Sequence, residues 1–210
     1  GNDIPDFIAS SRDTGRLAAT TVRFIRALPQ VSKPMIAGVD GLAVGVGTTL
    51  LLHCDLVYAT PDARFSTPFL DLGLVPEAGS SLLMPRRLGY ARAFEMLVLG
   101  EAFSAARAEA AGLANAVVAA DALEETVLSA GRRLAAKPPQ ALARARQLLR
   151  GGSAAEVLAR IDEEVEAFRV CLASSEAQEA FRAFVEKRKP DFKGWLDPDD
   201  RYRLPGLDKA

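Results

Sequence analysis

Glu77 is the acid whose setting points most directly to chemistry. It follows Pro76, precedes Ala78-Gly79-Ser80-Ser81, and is led into by Leu72, Leu74 and Val75. That order predicts a helix over 77–88 with Glu77 in its first turn. There a carboxylate complements the helix dipole, which is the simpler account. Held in an apolar pocket, the same carboxylate would be a proton-transfer base. The second feature is Gly41-Leu-Ala-Val-Gly45-Val-Gly47, between a strand and a helix. A dinucleotide turn does not fit it: a G-x-G-x-x-G begun at Gly45 ends on Leu50, and Asp55 is too near to be the ribose ligand. No P-loop motif is present either. Two readings remain. Either the glycines serve only close packing of helix on strand, or free N–H groups near Val46 and Gly47 suit an anion or a developing oxyanion.

Other chemistries drop out by residue type. His53 is the single histidine and lies beside Leu50-Leu51-Leu52, so it reads as a satisfied histidine rather than a base, and no metal site is expected. The nucleophile elbow G-x-S-x-G is absent. Cys54 and Cys171 cannot make a disulfide framework, which suggests a reducing, cytoplasmic compartment. Lys and Arg total 26 against 27 Asp and Glu, a balance without the basic footprint of a nucleic-acid binder. The apolar stretch 35–52 is interrupted by four glycines and by Asp40, so no membrane span is expected, and no signal peptide is recognised. The basic cluster Arg182, Lys187, Arg188, Lys189 and Lys193 reads as a solvated helix face, with phosphate contact as the alternative.

Elements must carry these residues. Thr14 caps a helix with Leu17, Phe24, Ile25 and Leu28 on one face, ended by Pro29. Strands are predicted at 35–39, 56–59, 64–66 and 113–118, and a buried helix over 48–53. Further helices are predicted over 77–88, 90–99 and 104–111, the last capped by Ser104. Asp121 caps another, which runs to 136. After Pro138-Pro139 come amphipathic helices over 140–150, 153–172 and 174–187. Residues 194–210 show no periodicity and read as an arm or frayed tail.

Several ordered motifs carry a resemblance. Lys33-Pro-Met-Ile-Ala-Gly-Val-Asp-Gly-Leu-Ala-Val-Gly-Val-Gly47 is followed by Cys54-Asp-Leu-Val-Tyr-Ala59, Ala63-Arg-Phe65 and Leu72-Gly-Leu-Val-Pro76. Then come Gly100-Glu-Ala-Phe-Ser-Ala105, Ala110-Ala-Gly-Leu113 and Ala183-Phe-Val-Glu-Lys-Arg188. Over residues 1–193 the chain resembles the enoyl-CoA hydratase/isomerase (crotonase) family. The resemblance implies an α/β fold: a spiral of ββα units over 1–135, a C-terminal helical trimerisation region over 136–193, and a tail over 194–210. It also implies that the strands normally preceding Gly1-Asn2-Asp3 are missing, so that a chain starting at Gly1 would be less stable.

By the same resemblance the substrate is an acyl-CoA thioester, CoA arriving as part of it, with no other cofactor. Two backbone N–H groups, of Asn2 and Val46, would form the oxyanion hole, each worth on the order of 3 kcal/mol. Phe184 and Lys187 match positions that reach CoA from a neighbouring subunit, which implies a homotrimer or a dimer of trimers. Hydratases of the family use two glutamates, and the matching positions here are Thr49 and Phe69. Thr67-Pro-Phe69 with Pro76-Glu-Ala-Gly-Ser-Ser81 is similar instead to the peroxisomal type of enoyl-CoA isomerase, in which one glutamate at the place of Glu77 shuttles the proton. The implied function is therefore isomerisation of a 3-enoyl-CoA in acyl-CoA metabolism. Its rivals are another enolate reaction of the family and a non-catalytic acyl-CoA-binding scaffold.

Overall fold

In the computed structural model, which describes residues 19–150 and 154–192, the short apolar runs become strands shared between two three-stranded sheets. β1 (Ile36–Val39) and β2 (Leu42–Val44) are joined through Asp40-Gly41, where Gly41 takes φ +87. A side chain there would be strained, so glycine suits the turn. β1 pairs in parallel with β3 (Leu56–Ala59), and β3 pairs in parallel with β6 (Ala116–Val117). In the other sheet β2 pairs in parallel with β4 (Arg64–Ser66), which runs antiparallel to β5 (Phe103–Ser104). Each of the first two ββ units thus gives one strand to each sheet before a helix carries the chain onward. That is the repeat of a ββα spiral, and the fold is α/β as expected.

The helices follow the periodicity with instructive exceptions. α1 (Ala19–Ala27) runs into a 3-10 turn, Leu28–Gln30, that contains Pro29 with its ring buried rather than stopping in front of it. Thr14 lies outside the described residues. The helix expected over 48–53 begins earlier, as α2 (Val46–Thr49), and tightens into the 3-10 turn Leu50–His53. α3 (Ser80–Leu88) starts three residues later than expected, because Ala78 and Gly79 both take left-handed backbone angles, φ 58 and 74, that no α-helix admits. Glu77 therefore lies in a turn ahead of the helix, not in its first turn. α4 (Tyr90–Leu97) ends two residues short of Leu99. α5 (Ala105–Ala110) is capped by Ser104, whose hydroxyl accepts the Arg107 N–H. α6 (Leu123–Ala135) is not capped by Asp121, which sits inside a 3-10 turn, Ala120–Ala122. The strand expected over 113–118 narrows to β6, and the two- and three-residue strands β5 and β2 were not expected at all.

Three more helices follow: α7 (Pro139–Leu149), which buries no residue, and α8 (Ala154–Leu172) and α9 (Ser175–Val185), which add Phe168, Leu172, Ala177 and Phe181 to the main core. α8 buries Ile161, Phe168 and Leu172; Ile161 meets Ile25, Leu28 and Ala78 in a cluster of its own. Arg86 reaches both carboxylate oxygens of Glu156 at 2.7 and 2.9 Å, and Arg26 pairs with Asp162. α9 lies against the 3-10 turn Leu70–Leu72, whose final residue hands the chain to Gly73 at φ +66. A Cβ on Gly73 would stand 2.8 Å from the Ala177 nitrogen, so glycine permits this approach on two counts. Among the described residues, no helix is long and apolar enough to cross a membrane.

Candidate active site

The ends of β2, the start of α2, the turn before α3 and the faces of α8 and α9 enclose a cavity of about 730 Å³. Its walls include Leu42, Val44, Pro68, Phe69, Leu72, Leu74 and Phe168, and into this apolar space comes the carboxylic acid Glu77. Glu77 is only 7% exposed. Its Oε1 accepts a hydrogen bond from Thr49 Oγ1 at 2.5 Å, which ties the acid to α2. Burial pushes the Glu77 carboxyl up to about 7, the Thr49 hydroxyl pulls it back, and the negative charge of Glu164 pushes it further up. Such an acid changes protonation state near neutrality and can both take and return a proton.

The turn that presents Glu77 is held from two sides. His53 Nε2–H donates to the Ala78 carbonyl at 2.7 Å. Burial lowers the histidine's proton affinity, so it serves as a neutral donor. On the other side Glu164 of α8 accepts from the Gly79 N–H at 2.5 Å, the Ser81 N–H at 2.9 Å and the Ser81 hydroxyl at 2.6 Å.

The start of α2 follows from one glycine. Gly45 takes φ 56 and ψ −119, donates its N–H to the Ser66 carbonyl of β4, and offers its own carbonyl to the Thr48 and Thr49 N–H groups. Val46 and Gly47 are then the first two helical residues, whose N–H groups the helix itself cannot satisfy. Both line the cavity with Glu77.

Of the other residues expected at a site, Asn2 lies outside the described residues. Phe184 lines the cavity and is 56% exposed. Lys187 is exposed and not part of the lining; its backbone, at φ 54, caps α9, its N–H bonding the Phe184 carbonyl while that of Arg188 bonds Ala183. The cationic side chain that lines the cavity is Arg188, paired with Glu179 at 2.5 Å. That pairing, helped by the Asp191 N–H, holds Glu179 down at about 2. Thr49, known to the sequence reading only as a missing glutamate, is the direct partner of Glu77. His53 and Glu164 were not expected near the site. For Glu164 a signal existed: it falls in phase with Val157, Ile161, Phe168 and Leu172, an acid on an apolar stripe.

Comparison with known proteins bears on the same segment. A sequence-family model described as Enoyl-CoA hydratase/isomerase matches residues 1–195. The chain is 37% identical to a 2,3-dehydroadipyl-CoA hydratase of Escherichia coli over 80% of its own length and 66% of that protein's. It is 35% identical to enoyl-CoA delta isomerase 2 of Rattus norvegicus, over 90% of this chain and 49% of that one. It thus spans between about half and two thirds of these curated relatives. Among solved structures it is similar to an enoyl-CoA hydratase/isomerase from Pseudoalteromonas atlantica, with TM-score 0.83, 39% identity and coverage of 91% and 75% of the two chains. Pseudomonas aeruginosa OdaA is also similar, with TM-score 0.80, 44% identity and coverage of 88% and 74%. An acid poised in an apolar cavity beside a glycine-built helix start thus sits in a scaffold shared with these proteins, and the chain belongs to the enoyl-CoA hydratase/isomerase family.

Proposed function

We propose that the protein is an isomerase that moves the double bond of a 3-enoyl-CoA ester to the 2-position. The observation that carries this reading is Glu77: a buried carboxyl with a proton affinity near neutrality, in an apolar cavity and hydrogen-bonded to the Thr49 hydroxyl. In the proposed reaction the carboxylate takes a proton from C2 of the substrate. The electron pair of the broken C–H bond spreads over C2–C4 and the thioester oxygen as a dienolate. The backbone N–H groups of Val46 and Asn2 hold the oxygen, and protonated Glu77 returns the same proton at C4. One base and one oxyanion hole suffice. Phe69 keeps the neighbourhood apolar, which favours return of the proton over addition of water. CoA enters as part of the substrate, with no further cofactor. The working assembly is a homotrimer or dimer of trimers, in which Phe184 and Lys187 of one copy reach CoA on the next.

One observation favours water addition instead: the relative named as a 2,3-dehydroadipyl-CoA hydratase. Against it stand Thr49 and Phe69, neither of which can act as a carboxylate base. The experiment is a 3-enoyl-CoA assay of wild type and Glu77→Gln, with hydration of crotonyl-CoA as a control. The expected result is isomerisation by wild type, a loss of at least about 10³-fold in the variant, and negligible hydration by either. Binding of acyl-CoA without turnover by wild type would leave a scaffold, and rapid hydration would overturn the isomerase reading.

A further inference from the structure

Glu164 is a buried acid that the proposed reaction does not use. It is 5% exposed, on the inward stripe of α8 with Ile161, Phe168 and Leu172. An acid in that place has lost its hydration and needs donors in return. It has three, the Gly79 N–H of the turn that follows Glu77 and the Ser81 N–H and hydroxyl of the first turn of α3. The turn after Glu77 contains consecutive left-handed residues, one of them the non-glycine Ala78, a conformation that persists only where its surroundings impose it. Ala78 is itself fully buried between α1 and α8, against Ile25, Leu28 and Ile161.

We propose that Glu164 is a positioning residue for Glu77: from α8 its carboxylate clamps the junction of the Ala78-Gly79 turn with α3 by three hydrogen bonds, one to Gly79 and two to Ser81, and so fixes where the base meets the acyl chain. The inference rests on Glu77 being the base. A positioning role of this kind acts on the chemical step more than on binding, because a small misplacement of a reacting group is costly in rate. The clamp also brings a second negative charge towards Glu77. The groups that bear on the pair are few. Thr49 of α2 donates to Glu77, His53 meets the turn as a neutral ring, Arg150 bears on His53, and Arg160 of α8 bears on Glu164. Glu164 therefore adds to the burial that raises the proton affinity of Glu77.

The test compares wild type, Glu164→Gln, Glu164→Asp and Ser81→Ala in the full chain. Glutamine keeps the volume but loses the charge, and its NH₂ opposes one of the N–H donors. We expect kcat to fall about tenfold or more with KM nearly unchanged, and the acid limb of kcat/KM to move to lower pH. Aspartate keeps the charge but falls one methylene short, so kcat falls and the limb stays. Ser81→Ala removes one donor and should lower kcat by about threefold. Wild-type kcat and an unmoved limb in Glu164→Gln overturn the proposal. Should that variant not fold, wild-type kcat in Ser81→Ala overturns it. A readout without turnover separates this inference from the isomerase reading. The infrared carboxyl band that disappears in Glu77→Gln is titrated in wild type and Glu164→Gln. A lower midpoint in the latter supports the clamp even if wild type moves no double bond, and an unshifted midpoint overturns it.

Discussion

A carboxyl group transfers protons at neutral pH only when its two protonation states lie close in free energy, and Glu77 reaches that condition through loss of water. The same burial has a consequence for stability. Its ordinary value of 4.5 belongs to the unfolded chain, and its folded value of about 7 is higher, so folding favours the protonated form. The stability this gives is fully present below the unfolded value and is lost as pH rises through about 7. The ionised acid then costs the fold up to about 3 kcal/mol. Glu77→Gln should therefore match wild type near pH 5 and be the more stable of the two at pH 8.5, as read by urea unfolding at both pH values. Equal stabilities at pH 8.5 would mean that the carboxylate is hydrated after all. Thr49 acts in the opposite sense, since its hydroxyl bonds the charged form. Thr49→Val removes that bond at almost constant volume, so the acid limb of kcat/KM should move to higher pH. A limb that stays put or falls would show that Thr49 contributes packing alone.

Elements set where such groups stand, and here the sequence was informative to an uneven degree. Strands and helices whose side chains alternate or recur over a full turn were legible, such as β3 with Val57 and Ala59 inward, or α9, expected over 174–187 and found at Ser175–Val185 with Ser174 as its cap. β2 and β5 were not: β5 is only two residues long, and the pairing partners of both lie more than 20 residues away. The start of α3 was misplaced because alanine carries no mark of a left-handed backbone; only the contacts of its carbonyl and Cβ impose it. Glu77 and the Val46 turn could be singled out from local residues with their roles left open; the stripe of α8 marks Glu164 as a buried acid, but its partners 83 to 85 residues away, like the Thr49 contact over 28 residues, leave no local trace. Gly73 shows how a connection of this type supports the cavity. It ends the 3-10 turn of Leu70–Leu72 and meets the first turn of α9, so both walls of the cavity depend on it. Gly73→Ala faces a positive φ and a Cβ 2.8 Å from backbone. The expected cost is about 1–3 kcal/mol, with α9 displaced and KM raised. Thermal unfolding beside substrate titration reads both effects, and an unchanged melting temperature would contradict the contact.

At the scale of the molecule the site joins two parts of the described chain: the start of α2 and the turn before α3 supply Val46 and Glu77, while α8 and α9 supply Glu164, Phe168, Ala180 and Phe184. Anything that loosens the C-terminal helices should therefore reach the chemistry. The half-buried link is Asp55, just before β3. It accepts from the Met35 N–H at 2.7 Å, from Arg146 Nε at 2.9 and 3.0 Å, and lies 3.5 Å from Arg150. The Arg146 side chain is 11% exposed and also donates to the Val31 carbonyl at 2.8 Å, so α7 is fastened to the chain on both sides of β1. Asp55→Asn keeps an acceptor but removes the counter-charge from a mostly buried guanidinium; breaking a fully buried pair costs about 3–5 kcal/mol, and the 23% exposure of Asp55 puts the cost here below that. The contact of Arg86 with Glu156 is bidentate as well, but its side chains are 53% and 45% exposed. Solvent screening leaves a pair of that kind little net worth. Asp55→Asn should thus lower stability several-fold more than Arg86→Ala, and amides of α7 and α8 should lose hydrogen-exchange protection before those of β1 and β3. Activity should fall with that local opening, since the Glu164 clamp rides on α8. Equal losses in the two variants would place the coupling elsewhere in the fold.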